Sequence, residues 1–378
     1  MADAFSPDLL TIILLGAGAA ALIIVLVAVR QFSQFAPFAY PNARVMARKG
    51  KLLDRKQIMD IIDAKKMEET YNLVEEIPEY KKYLDKFPFE KALDMQLAET
   101  HELIAKISPD KFKEFFEILL SRWDIKNIKN IIVAKEMGVG VEEIKDAIIP
   151  FGRLKKDVLD RLIDSENIEE ISEVLKGTEY YELIENTIPL YQEKKIILTL
   201  EASFDKYYYD RWLETVSNIS NEDVEVLNSL VSTQIDIINL KIILRSRVDG
   251  LEFKDIEDYI IAGGRQLSPW KLKDLLGAEK IGDILSMLEG TDYVDVLRDN
   301  IPEYEKTSSI STLEFALERY SMELGGMLYK RRPSTIGPIV DFLNKKETEI
   351  NNLKVILRAK QEGLPPKMIR KMLTGGLK

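Results

Sequence analysis

The chain has 378 residues, 46% of them hydrophobic and 31% charged, so a packed core is within reach and wholesale disorder is excluded. Lys and Arg number 53 against 63 Asp and Glu, and a net charge of −10 repels phosphate, which argues against nucleic acid as a partner. There is no cysteine and one histidine, His101, which removes disulfides, thiolate metal sites, cysteine nucleophiles and multi-histidine centres.

Residues 9–29 (LLTIILLGAGAAALIIVLVAV) carry no charge, and thirteen of them are Leu, Ile or Val. As a helix rising ~1.5 Å per residue the stretch is about 31 Å long, matching a hydrocarbon layer of ~30 Å. Asp3 and Asp8 precede it; Arg30, Arg44, Arg48, Lys49 and Lys51 follow. The positive-inside rule therefore predicts a membrane helix with the bulk of the chain on the cytoplasmic side. A cleaved signal peptide fits worse, because no Lys or Arg precedes the apolar core. Gly16-Ala17-Gly18-Ala19-Ala20-Ala21 imitates the turn of a dinucleotide-binding fold, but that chemistry needs an acid ~20 positions on. None lies between Asp8 and Asp54, which disfavours a membrane-bound oxidoreductase. Gly16, Gly18 and Ala20 are read instead as a face for close packing against another membrane protein. Residues 1–35 are assigned to this helix and its flank, and 36–49 to a linker.

Beyond residue 50 the chain repeats itself. Asp124, Asn127 and Lys129 recur as Asp236, Asn239 and Lys241, and again as Glu349, Asn352 and Lys354, each set inside an apolar run. The asparagines stand 112 and 113 positions apart. Each run passes through basic residues to a glycine: Gly138, Gly250 and Gly363. Gly177-Thr178-Glu179-Tyr180 returns as Gly290-Thr291-Asp292-Tyr293, with a weaker echo at Ile77-Pro78-Glu79-Tyr80. Leu93-Asp94, Leu200-Glu201 and Leu313-Glu314 recur once in each unit, 107 and 113 positions apart. So do Gly50-Lys51-Leu52, Gly152-Arg153-Leu154 and Gly264-Arg265-Gln266-Leu267, 102 and 112 positions apart. These signals divide the chain into units at 50–150, 151–262 and 263–378.

Each unit reads as helical. Ile128, Ile131, Ile132 and Lys135 follow helical spacing and end on a base near a C-terminus. Residues 235–244 are apolar on nearly every side, as a buried helix requires. Ser108-Pro109-Asp110, Ser220-Asn221-Glu222-Asp223 and Ser268-Pro269 mark helix starts. Gly325-Gly326 is a candidate kink in a long helix, and 330–338 the best loop.

Chemistry is not in view. The acid and the asparagine of each repeat share a helix face, which offers capping or packing, while the lysine two positions on points elsewhere, to solvent, another unit or a partner. Asn127, Lys129, Asn239, Lys241, Asn352 and Lys354 are therefore expected to be structural. His101 reads as a solvated or satisfied helix residue. No phosphate loop, triad or paired-carboxylate site is recognisable, so no catalytic, metal or cofactor residue is assigned and an enzyme is not expected.

These repeats, together with Asn42-Ala43-Arg44-Val45 leading into Gly50-Lys51-Leu52, resemble the C subunit of the archaeal A-type ATP synthase, a relative of the d subunit of vacuolar ATPases. The resemblance covers about residues 40–378. It implies an all-α fold of three similar helical domains in a pseudo-threefold funnel. It also implies a non-catalytic central-stalk part of a rotary ATPase, serving ATP synthesis and hydrogen ion transport or other ion transport. Its partners would be the membrane rotor ring of proteolipid subunits and the central shaft, with the lipid bilayer added by the N-terminal helix. Soluble members of the family lack such a helix, so residues 9–29 depart from the pattern. An unrelated membrane-tethered helical scaffold is the alternative.

Overall fold

A computed structural model describes residues 9–194, 196–219, 223–328 and 335–374. Asp3, Asp8, the Ser220-Asn221-Glu222 signal and most of the 330–338 loop lie outside them. Every regular element among the described residues is helical. The first, Leu9–Lys49 (α1), is a single helix of 41 residues. It runs through 16–21 without a turn, so the strand–turn–helix of a dinucleotide site is not there. It also runs through 36–49, the expected linker, despite Pro37 and Pro41. Each proline removes one helical hydrogen bond. Here the helix continues because one face is packed, with Phe38 and Val45 buried.

After α1 the chain passes three times through one order of elements. Short helices Arg55–Asp63 (α2), Met67–Glu75 (α3) and Pro78–Leu84 (α4) lead to the long Phe89–Ile107 (α5) and Lys113–Glu136 (α6), then the short Val141–Ala147 (α7). Lys156–Asp164 (α8), Ile168–Leu175 (α9) and Tyr181–Lys194 (α10) lead to Leu198–Ser217 (α11), Asp223–Val248 (α12) and Phe253–Ile256 (α13). Pro269–Leu276 (α14), Ile281–Met287 (α15), Asp292–Arg298 (α16) and Ile301–Thr307 (α17) lead to Ser311–Leu328 (α18), Gly337–Gln361 (α19) and Pro366–Met372 (α20).

The six long helices close on themselves. α5 packs on α6, α6 on α11, α11 on α12, α12 on α18, α18 on α19, and α19 returns to α5. α12 looks long and apolar enough for a membrane, yet Leu227, Val231, Ile235, Leu240 and Ile243 are buried inside the body. Its all-round hydrophobicity is that of a core helix. The ends of the chain meet in one core, where Ile58, Ile62, Tyr80 and Leu93 pack with Ile350, Leu353, Ile356 and Ile369.

α1 leaves this body along α19. Asn42 Nδ2 donates to the Thr335 carbonyl at 3.1 Å, and Lys49 pairs with Asp341 at 2.7 Å. The two helices therefore run side by side in the same direction. Among the described residues of its N-terminal half, Ile12, Leu15, Ile24 and Val29 are all exposed. A row of bare aliphatic side chains is stable only in a non-aqueous surround.

Candidate functional site

The repeat residues build three clasps of one design. Asn127 Nδ2 donates to the Ile149 carbonyl at 2.8 Å, and its Oδ1 accepts from the Ile149 amide at 3.0 Å. Asn239 does the same to Ile261 at 2.8 and 2.9 Å, and Asn352 to Thr374 at 3.0 and 2.9 Å. A carboxamide suits this task because it carries donor and acceptor together and so replaces the peptide partner a strand would have given. Each asparagine is buried and ties down the segment after its own long helix.

The acids reach further. Asp124 accepts from the Arg153 and Leu154 amides at 2.7 and 3.1 Å and from the Tyr180 hydroxyl at 3.1 Å. Asp236 accepts from the Gln266 and Leu267 amides at 2.7 and 3.2 Å and from Tyr293 at 2.8 Å. Glu349 accepts from the Leu53 amide at 2.5 Å and from the Tyr80 hydroxyl. Each acid thus holds the start of the next set of short helices, and the third holds the first. Glycine is required at the contact, since a Cβ on Gly152 or Gly264 would collide with the carboxylate of Asp124 or Asp236. Burial pushes the Asp124 carboxyl up to about 6 against its three donors, and raises Asp236 in the same way.

The closing clasp differs. Six positions before its asparagine stands Lys346, where the other two clasps have Ser121 and Thr233. It is buried, 2.8 Å from Glu349 and 2.9 Å from the Tyr80 oxygen. A buried cation and a longer acid replace the second backbone donor. The two ends of the chain are therefore joined by charge, where the other joins carry covalent continuity. Lys354–Asp94 at 2.6 Å, Arg358–Glu90 at 2.7 Å and Lys49–Asp341 cross the same seam.

The repeat lysines follow the same rule. Lys129 pairs with Asp205 at 3.0 Å, Lys241 with Glu318 at 2.7 Å and Lys354 with Asp94 at 2.6 Å. Burial would raise Asp94, but Lys126 and Lys354 outweigh it and hold the carboxyl below its ordinary value.

Sequence reasoning did not find the group around Arg122. This side chain is 52% exposed. Glu347 of α19 lies 2.9 Å away, and Tyr208 and Tyr209 of α11 stand near enough to act on the guanidinium's charge. Burial disfavours the Glu347 carboxylate, but Arg122 and His101 outweigh it and bring the carboxyl down to about 2. His101 is fully buried, not solvated: Trp123 Nε1 donates to its Nδ1 at 3.1 Å, and its Nε2 lies 3.4 Å from Glu347. Burial lowers its pKa, with Glu347 opposing, so the ring is held neutral. The available signal was the register, since Arg122, Gln234 and Glu347 each precede a repeat asparagine by five positions.

Gly16, Gly18 and Ala20 lie in the bare part of α1; nothing stands within 4 Å of a Cβ placed on either glycine. Gly16 and Ala20 share a face, while Gly18 points to the opposite side, so the three do not form one stripe.

A helical repeat body closed head to tail and carried on a long apolar helix defines the class of protein. The chain belongs to the ATP synthase (C/AC39) subunit family, whose model matches residues 41–372. It is 39% identical to the C subunit of the A-type ATP synthase of Methanosphaera stadtmanae over 366 residues, 97% of this chain and 94% of that one. The corresponding protein of Methanocaldococcus jannaschii is 38% identical over 89% of this chain and 86% of its own length. That of Pyrococcus horikoshii is 30% identical over 90% and 91%. A match of 366 residues leaves 12 outside, so most of the apolar stretch falls within the alignment to the Methanosphaera protein.

Proposed function

We propose that this protein is a non-catalytic central-stalk subunit of a rotary A-type ATP synthase, coupling a membrane rotor ring to the central shaft. Its units at 50–150, 151–262 and 263–378 form three domains around a shared axis, a funnel in which the Arg122–Glu347 pair joins the first unit to the third. The observation that carries this reading is the cyclic order of the clasps, 124 to 153–154, 236 to 266–267 and 349 to 53. Three such joins arranged head to tail make a closed and stiff body, which is what transmission of torque demands. The names of the relatives give the machine in which such a body would serve.

Residues 9–29 cross the membrane with the body in the cytoplasm, and α1 enters the central opening of the ring along the rotation axis. A helix at the ring's outer edge would sweep past the stator at every turn. A chain with no cysteine permits a direct test. Ala19→Cys in the intact, membrane-bound complex is expected to cross-link to a ring proteolipid; capture of lipid-exposed stator components instead would overturn the placement. Detergent-solubilised complex is expected to bring down ring and shaft subunits with this chain, and an unrelated set of proteins would overturn the function.

A further inference from the structure

The three short helices that follow the long ones are equivalent by geometry, because Asn127, Asn239 and Asn352 clasp the segment just after each of them in the same way. Their charges are not equivalent. α7 carries Glu142, Glu143, Lys145 and Asp146, a balance of −2. α13 and the turn after it carry Lys254, Asp255, Glu257 and Asp258, again −2. α20 carries Lys367, Arg370 and Lys371 and no acid, +3.

Neighbouring side chains extend this basic corner. Arg370 pairs with Asp63 at the end of α2, and Lys360 Nζ donates to the Ala64 carbonyl at 2.5 Å. Those contacts bring the exposed Lys65 and Lys66 alongside α20. Lys367 and Lys371 are exposed and make no ion pair among the described residues, and Met368 between them is 50% exposed. Lys367 and Lys371 stand on either side of Met368 in the sequence of α20, while the Lys65 and Lys66 amides donate to Glu69, on a protein whose net charge is −10.

The direction in which this corner faces follows from α1 and α19, and it rests on the reading of α1 as the membrane span. Thr335 lies beside Asn42, and α19 then runs away from the span for 25 residues, roughly 40 Å of helix at ~1.5 Å per residue. α20 follows that far end. We propose that α20 with Lys65 and Lys66 is a docking surface for an acidic protein segment on the side away from the membrane. It breaks the threefold repeat, so it offers such a partner one rotational setting out of three. A bilayer is out of reach at that height, and the net charge opposes nucleic acid.

The test uses the full chain in neutral-lipid nanodiscs with poly-L-glutamate as probe. Lys367→Glu/Lys371→Glu is expected to weaken binding at least tenfold at low salt, with Lys367→Gln/Lys371→Gln intermediate. Lys145→Glu/Lys254→Glu on the equivalent helices is expected to stay within twofold of the parent. Equal losses in the two glutamate variants would overturn the proposal. So would a loss of binding to phosphatidylglycerol vesicles with poly-L-glutamate binding unchanged, since that would turn the corner toward the membrane. Failure of the chain to enter nanodiscs at all would refute the membrane span and leave the probe measurement, made on the soluble chain, to decide the basic corner separately.

Discussion

Arg122 Nη1 lies 2.9 Å from Glu347 Oε1, and the two residues occupy the same register position, five before Asn127 and five before Asn352. Two copies of one position thus face each other as opposite charges. The third copy, Gln234, instead donates to Ser321 at 2.5 Å. Because Arg122 is half open to solvent, the pair is worth no more than about 1 kcal/mol of stability. Arg122→Ala is expected to raise the Glu347 carboxyl from about 2 by a measurable amount short of one pH unit (~1.4 kcal/mol), read by carboxyl NMR, while the melting temperature moves little. A Glu347 titration unchanged in that variant would contradict the pairing.

The clasps should dominate stability. Asn127→Ala removes the carboxamide that serves the Ile149 amide and carbonyl; the carbonyl keeps the Phe151 amide at 2.8 Å, so the Ile149 amide is the group left without a partner. A loss of about 1–3 kcal/mol is expected in urea unfolding. Asn352→Ala should show the same effect locally, as faster amide exchange in 366–374. Exchange there at the parental rate would mean that the clasp does not hold the final helix.

Glycine positions separate strain from collision. Gly177 has a φ of 85° and open space around it, so Gly177→Ala is expected to cost about 1 kcal/mol from backbone conformation alone. Gly152, at φ 135°, adds a collision with the Asp124 carboxylate, and Gly152→Ala is expected to cost about 3 kcal/mol or more. Equal costs would place Asp124 elsewhere.

The pH dependence should contain two opposed slopes. Asp124 binds its proton more tightly folded than unfolded, so its contribution is fully present below pH ~4 and is lost as pH rises through about 6. At about 1.4 kcal/mol per unit the change approaches 3 kcal/mol. His101 does the reverse: its folded pKa is depressed, so its contribution is present above its unfolded value of ~6.5 and is lost as pH falls below it. Asp124→Asn is expected to remove the loss between pH 4 and 6, and His101→Gln the loss on acidification. Stability curves from pH 4 to 8 for the two variants that slope the same way would refute the assignment.

Much of this protein is written in local pattern. The uncharged run 9–29, the helical spacing and the recurrence of Asp/Glu–Asn–Lys near every 113 positions are sequence properties, because periodicity and composition depend on nearest neighbours along the chain. The glycine–base–leucine motifs could be read too, though not what they meet. Only the tertiary structure decided that each acid crosses to the next set of helices and that Glu349 and Lys346 return to Leu53 and Tyr80. It alone continued α1 through Pro37 and Pro41, because burial of Phe38 and Val45 offsets the hydrogen bonds that the prolines remove. It also buried His101 against Trp123 and Glu347. Contacts between residues hundreds of positions apart depend on how faces meet in space, and no window of sequence contains both partners.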